Sequence, residues 1–376
     1  MELGSLSYKI LKKVSAINHA IDIKLKQRRE AYIYGFRNHD LKARLKVING
    51  GYKGNNKDFK QTVLQYWAQY GLKPKKLWYA LYCEGMNSYD PRFIPDPIWF
   101  KYILPYFNSA PMVPAYADKG LYSKTINNVT KPDTIVKNVA GYFYDGDGDH
   151  LITREEAVRL CEGEEHLIIK PTLGSKGVGI MFYDRDDKSL RIPAIFHSIG
   201  ANFVVQRIVM QHPLLARLNS SALNTIRIIS FHFKGEVFIL SAQLRIGSAG
   251  SRVDNVSAGG YACAIRQDGW LHEKAVTRKM LWTDETSNGI KLKTVFIPNY
   301  EEIKETIKRL HQQLPYFNII GWDFAVNEEG TPVFIEFNTK PAQNQIGGRE
   351  PTFGDLTDQV LDEVFKLKTL KDAFKR

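Results

Sequence analysis

Cysteine is scarce in this chain of 376 residues: Cys83, Cys161 and Cys263 are odd in number and far apart. That excludes a disulfide framework and offers no zinc-ligand spacing, so a reducing cytoplasmic setting is the plain expectation. Long apolar runs are missing too. Stretches such as Leu167-Ile168-Ile169 are strand-sized, far short of the ~20 apolar residues that cross a bilayer. The first residues lack the continuous apolar segment of a secretory signal. There is no internal repeat and no low-complexity tract. With 44% apolar and 24% charged residues, the composition excludes collagen-like and disordered classes, and the length allows two or three packed layers.

Acidic charge is in deficit, and the net charge is +12. Residues 1–60 carry 14 Lys or Arg against 5 Asp or Glu, so +9 of the excess sits there. Lys24, Lys26, Arg28 and Arg29 fall in a segment with helical spacing. Such a face suits an anionic membrane surface or an acidic glycan, or it is simply a solvated helix face. No motif that reads DNA or RNA accompanies it, so nucleic acid is not an expected partner.

What is present divides the chain. Residues 8–30 and 57–71 place apolar residues at helical spacing, aromatics gather from Tyr66 to Trp99, and prolines recur from Pro91 to Pro114. We read residues 1–110 as a mainly helical, basic N-terminal region, with the Trp67, Trp78 and Trp99 group as core. From about residue 116 short β-branched runs separated by turns predict strands at 134–138, 141–144, 166–171, 180–183, 203–207, 224–233, 236–246 and 261–266. A helix over 300–314, a hairpin of 319–326 with 332–338, and a final helical stretch over 356–374 follow. The fold class is α+β with mostly antiparallel sheets.

Asp145, Asp147 and Asp149 at alternate positions resemble a calcium loop, but His150 stands where a glycine must make the sharp turn. Asp147-Gly148 as a hairpin turn and Thr153-x-x-Glu156 as a capping box account for the same residues.

Two segments carry the chemistry. In His166–Ile180 a strand ends at Lys170, and a loop with Gly174, Ser175, Lys176, Gly177 and Gly179 leads into another strand. Glycines let backbone N–H groups approach phosphate oxygens, and the two lysines add charge. A Walker or Rossmann loop must open a helix, so neither fits. In the second segment Glu336 and Asn338 are two apart on a strand and share a face. A hairpin loop at 327–330 would pair Asp323 with Phe334 and bring Asp323 to that face, with Trp322, Phe324, Ile335 and Phe337 turned to the covered side. Three hard oxygen ligands then converge, a set that suits Mg²⁺.

The ordered motifs IIKP-x-LGSKGVGI, VVQRIVMQHP, LNTIRI, GWDF and IEFNTKP resemble the ATP-grasp superfamily, and specifically its sugar-transfer-associated branch, over roughly residues 90–350. The resemblance implies an ATP-grasp fold: an N-lobe at 111–205 with the glycine-rich phosphate loop, and a C-lobe at 206–376 with the metal site and C-terminal helix. It implies ATP and Mg²⁺ as cofactors. Lys119 (with Lys124 as fallback) and Lys170 resemble the nucleotide lysines; Gly174, Ser175, Lys176 and Gly177 resemble the phosphate cover. Gln206, Arg207 and Ile208 resemble the adenine hinge, although many members carry glutamate where Gln206 stands. Arg227 resembles the arginine beside the transferring phosphoryl group, with Lys176 and Arg245 as further catalytic candidates. Asp323, Glu336 and Asn338 resemble the metal ligands, and Asn255 and Lys340 are candidate lining. The implied activity is carboxylate–amine ligation in cell-surface polysaccharide biosynthesis or modification. Its partners would be a carboxylated sugar or glycan acceptor and an amine or amino acid. The place would be the cytoplasm or the inner face of its membrane. A kinase acting on a sugar hydroxyl and a non-catalytic nucleotide-binding protein are the other readings. His212, before a proline, reads as a capping residue.

Overall fold

Two antiparallel sheets dominate a computed structural model that describes residues 39–146, 150–174, 177–248, 250–252 and 259–366. The expected helix over 8–30, with its four basic residues, lies outside the described residues. Among the described residues no helix is long and apolar enough to cross a membrane.

The N-terminal layer is helical as expected, through residues 56–68, α1 (Lys76–Tyr82) and residues 96–107. Trp67 and Trp99 are fully buried and Trp78 nearly so. Each of the first two finds an acceptor for its indole N–H, Trp67 in the carbonyl of Pro91 at 2.9 Å and Trp99 in that of Pro341 at 2.9 Å. A buried tryptophan usually finds a partner for this polar edge.

The first sheet contains β1 (Thr134–Val139), β2 (Tyr142–Asp145), β3 (Leu151–Ile152), β4 (His166–Pro171), β5 (Met181–Asp184) and β6 (Phe203–Arg207), in the order β3-β2-β1-β6-β4-β5. Its period-two alternation sorts side chains cleanly. Leu167, Ile169, Phe203 and Val205 pack under α2 (Arg154–Glu162) and α3 (Ile192–Ile199), while Ile168, Lys170 and Gln206 turn the other way. The helix α2 opens with the expected capping box: Glu156 N donates to Thr153 Oγ1 at 3.1 Å, and Thr153 N donates to Glu156 Oε2 at 2.8 Å. Glu156 is therefore committed to the cap rather than to calcium. Asp147 and Asp149 lie outside the described residues.

The second sheet contains β7 (Thr225–Phe233), β8 (Glu236–Ile246), β9 (Tyr261–Ile265), β10 (Leu271–Thr277), β11 (Trp282–Thr283), β12 (Ile319–Val326) and β13 (Pro332–Asn338), in the order β11-β10-β9-β8-β7-β12-β13. One face, with Ile226, Ile228, Trp322, Phe324 and Phe337, is covered by α4 (Tyr300–His311). The opposite face is shared. Its Ile229, Phe231, Phe233 and Ile319 pack against the N-terminal helices and α5 (Thr357–Phe365). Asn108 fastens that layer to the sheet: its side chain donates to the carbonyls of Ile319 (2.7 Å) and Thr339 (2.6 Å) and accepts from Ile319 N (2.9 Å). Further along, the short helix Gln345–Gly348 packs against β9 and β10, and the site lies beside it on the same face.

Candidate active site

The β12–β13 hairpin does not have the expected register. Its loop spans one residue more, so Val326 pairs with Pro332, and a one-residue bulge then leaves Ile335 without a partner. Asp323 consequently faces Glu336 rather than Phe334. The two deviations together shift the pairing by an even number, so Asp323 keeps the face the sequence predicts. The bulge has a second effect. Ile335 joins Glu336 on the open side instead of packing below with Trp322 and Phe324, as bulges beside active sites commonly re-aim a side chain.

Pairing continues the row across the sheet: Glu336 opposite Asp323, Asp323 opposite Arg227, Arg227 opposite Gln243. Arg227 and Asp323 are 8% and 2% exposed. Arg227 holds the carboxylate in a two-pronged grip, Nε to Oδ1 at 2.6 Å and Nη2 to Oδ2 at 2.6 Å, and Arg245 Nη1 approaches Oδ2 at 3.4 Å. Burial by itself would raise the Asp323 carboxyl; the charges and hydrogen bonds of Arg227 and Arg245 outweigh it and hold the pKa below the ordinary Asp value.

The first sheet faces this row. Lys119 Nζ lies 3.3 Å from Glu336 Oε2 and donates to the carbonyl of Gly174 at 3.2 Å. Lys170 Nζ donates to Gln206 Oε1 at 3.1 Å, and Gln206 Nε2 donates to Thr134 Oγ1 at 3.1 Å. Gly177 and Gly179 take φ of 74° and 77°, and a Cβ on Gly179 would come within 2.9 Å of Pro171. Only glycine meets both demands.

Between the sheets lies a cavity of about 620 Å³, within the range of small-molecule sites. Lys119, Lys170, Gly174, Gly177, Arg227, Arg245, Lys340, Asp323, Glu336 and Asn338 all line it. A smaller adjoining cavity of about 50 Å³ is reached by Lys119, Lys170, Gln206, Ile335 and Glu336, together with Lys131 and Lys137. Ser175, Lys176 and Asn255 lie outside the described residues. Arg207 turns outward, its guanidinium paired with Glu164 (2.8 Å) and Asp133 (2.9 Å), and Ile208 is half-buried after β6. The His212 ring accepts from Leu214 N at 3.2 Å, as a cap does. Sequence reading missed Ile335, Gln243, Lys137 and the far wall of the cavity, because neither periodicity nor motif spacing marks them.

The donor set suits Mg²⁺, being oxygen only: Glu336 and Asn338 from β13 and Asp323 from the neighbouring β12 all line the cavity. No curated protein matches this sequence. Among solved structures, the ATP-grasp ligase PsnB with minimal precursor, Mg and ADP is 14% identical, with a TM-score of 0.40 over 69% of this chain and 62% of that one. D-alanyl-alanine synthetase A from Vibrio cholerae is 13% identical, with a TM-score of 0.37 over 65% of this chain and 62% of that one. VanG D-Ala:D-Ser ligase from Enterococcus faecalis is 14% identical, with a TM-score of 0.38 over 67% and 61%. This chain thus spans less than two thirds of the length of each of these proteins. Residues 100–356, well over half of the sequence, match the model of the sugar-transfer associated ATP-grasp family, and the chain belongs to that family.

Proposed function

We propose that the protein is an ATP-dependent ligase that activates a carboxylate for amide formation. The observation that carries the reading is the convergence of Lys170 from the first sheet and Lys119 from the short turn Lys119–Leu121 on the Glu336–Asp323–Arg227 row of the second sheet, across one cavity. Lys119 and Lys170 would bind the phosphates of ATP, with Lys176 joining them from the glycine loop. Ile168 and Ile335 offer apolar walls for the base, beside the hinge at Gln206, Arg207 and Ile208. Asp323, Glu336 and Asn338 would hold Mg²⁺, which supplies charge neutralisation on the phosphate oxygens. In the first step a substrate carboxylate oxygen attacks the γ-phosphorus and ADP leaves. In the second an amine attacks the acyl carbon, inorganic phosphate leaves, and the nitrogen loses a proton. Arg227 and Arg245 would steady negative charge in both steps, a task of positioning and electrostatics rather than covalent catalysis. The acceptor in this reading is a carboxylated sugar or glycan, and the nucleophile an amine or amino acid. The work would be done in the cytoplasm, with the basic segment at residues 24–29 offering contact to an anionic membrane surface or acidic glycan.

Replacing Lys170 by Ala removes a charge-assisted hydrogen bond and should weaken ATP binding by about ten- to a hundredfold. Calorimetry with Mg·ATP measures this. Equal affinity in the two proteins would overturn the nucleotide assignment, and absence of ADP release with every acid and amine supplied would overturn the ligase.

A further inference from the structure

Between the end of β13 and the short helix Gln345–Gly348, residues 339–344 form neither helix nor strand. Lys340, Pro341, Gln343 and Asn344 of this segment line the cavity. Backbone outside a ladder must find other partners, and the N-terminal layer supplies them. The Asn108 side chain donates to the Thr339 carbonyl at 2.6 Å, and the fully buried Trp99 indole donates to the Pro341 carbonyl at 2.9 Å. Gln343 Nε2 and Gln345 Nε2 both donate to the Ile94 carbonyl, at 2.9 and 3.0 Å, and Ile94 N donates to Gln345 Oε1 at 3.0 Å. The segment is thus fixed from behind.

In front, the same segment meets Gly321. Gly321 pairs with Asn338 on one side and Ile229 on the other, so it sits in the middle of the sheet. It does not take the left-handed φ that calls for glycine. Space is the reason instead. A Cβ on Gly321 would come within 2.9 Å of Pro341 Cβ, and would lie 3.6 and 3.7 Å from Cδ and Nη1 of Arg227. Neither a proline ring nor the central strand beneath it gives way cheaply. Pro341 and Arg227 therefore stand over the same bare backbone, on either side of the space that a methyl group would take. Asp323 grips Nε and Nη2 of Arg227, at 2.6 Å each. The Gly321 contact lies on the Nη1 side of the guanidinium, which Asp323 does not grip.

We infer that Trp99, Pro341 and Gly321 are positioning residues for Arg227. Trp99 holds the Pro341 carbonyl, Pro341 seats on Gly321, and Arg227 is confined beside them. The N-terminal layer thereby sets the arginine that would meet the γ-phosphoryl group, although Trp99 and Asn108 do not line the cavity themselves. Misplacing a charge-stabilising group by on the order of 1 Å is enough to cost most of its effect. The inference deepens the ligase reading and rests on its placement of Arg227.

The test titrates the full-length protein calorimetrically with Mg·AMPPNP and with Mg·ADP, which differ by the γ-phosphoryl group, and records a melting curve for each variant. Gly321→Ala drives Pro341 and Arg227 from their places. It should weaken Mg·AMPPNP about tenfold, as for a lost charge-assisted contact, and Mg·ADP by less than about twofold. Trp99→Phe keeps a ring in the buried pocket and removes the N–H; it should move the AMPPNP-to-ADP ratio in the same direction. Pro341→Gly removes the colliding Cβ. Added to Gly321→Ala, it should bring the ratio back to within about threefold of wild type, a rescue that a merely loosened fold does not give. An unaltered ratio in either variant that still melts cooperatively overturns the inference. So does equal weakening of both nucleotides, or a double variant as impaired as Gly321→Ala alone. If Gly321→Ala does not fold, the ratio in Trp99→Phe decides. Failure of the ligase reading shows separately, as wild type that binds neither nucleotide.

Discussion

Asp323 and Arg227 form a deeply buried ion pair on the cavity wall, and its energetics are lopsided. Two charges taken out of water regain much of their hydration cost from each other, but a single charge left behind does not. Arg227→Met should therefore destabilise the protein by about 3 kcal/mol, the low end of the usual range for a broken buried pair, because Arg245 still lies 3.4 Å from the orphaned carboxylate. The double variant Arg227→Met with Asp323→Leu should recover most of that loss. Urea unfolding of the three proteins checks this, and a double variant no more stable than the single one would mean the pair is not the source. Glu336 is different: it faces the cavity with a quarter of its side chain exposed, and its partner there, Lys119 at 3.3 Å, is itself on the cavity wall. The same hairpin thus holds one carboxylate gripped by two arginines and one that stands further out into the cavity.

At the scale of the element, the bulge in β13 adds an apolar side chain to the cavity without moving the polar ones. Deleting Ile335 should restore regular pairing while Glu336 and Asn338 keep their face. The thermal midpoint should change little, and ATP affinity should fall about tenfold, since burying an aliphatic side chain contributes about 1.5–3 kcal/mol. Calorimetry and a melting curve decide between this and a purely structural bulge, which would melt early. The bulge also shows where sequence reading stops. The boundaries of β4, β6, β8 and both strands of the hairpin were legible, because turn residues and alternation coincide there. Asp323, Glu336 and Asn338 were legible as a face because parity survives an even shift in register. The register itself was not, since nothing in PVFIEFN marks which residue will be left unpaired. β10 and β11 escaped notice because Leu271–Thr277 alternates irregularly, its pairing with β9 shifting between Leu271 and Ala275. The far cavity wall was invisible for another reason: Arg44, Trp78, Asp96 and Arg278 meet only through tertiary packing.

The whole molecule carries a built-in sensitivity to acid. His311 is buried beneath the second sheet, where Ser230 donates to Nδ1 at 2.7 Å, Trp322 donates to Ser230 Oγ at 2.7 Å, and Nε2–H donates to the carbonyl of Phe317 at 2.9 Å. That arrangement satisfies a neutral ring. Burial pushes its pKa down to about 4, against the opposing pull of the Phe317 carbonyl and with help from nearby His232. The unfolded chain takes up this proton near pH 6.5, whereas the folded one resists until about pH 4. The contribution of His311 is thus complete above pH 6.5 and is lost progressively as pH falls to 4, by about 3 kcal/mol in all. Melting curves from pH 7 to 4.5 should fall more steeply for the wild type than for His311→Gln; parallel curves would remove the histidine from the account.

The N-terminal layer is fastened to the far end of the chain: Tyr66 donates to Asp358 at 2.5 Å, Tyr70 to Asp362 at 3.1 Å and Tyr106 to Glu363 at 3.1 Å. Residues 66 and 358 are separated by 292 positions. A ribosome adding 5–20 residues per second needs roughly 15–60 s to cover that span. For that interval the aromatic surface around Tyr66 and Tyr70 has been made and its covering helix has not. The nascent chain is then a natural client for a holding chaperone, and rare codons placed late in the message would prolong its exposure.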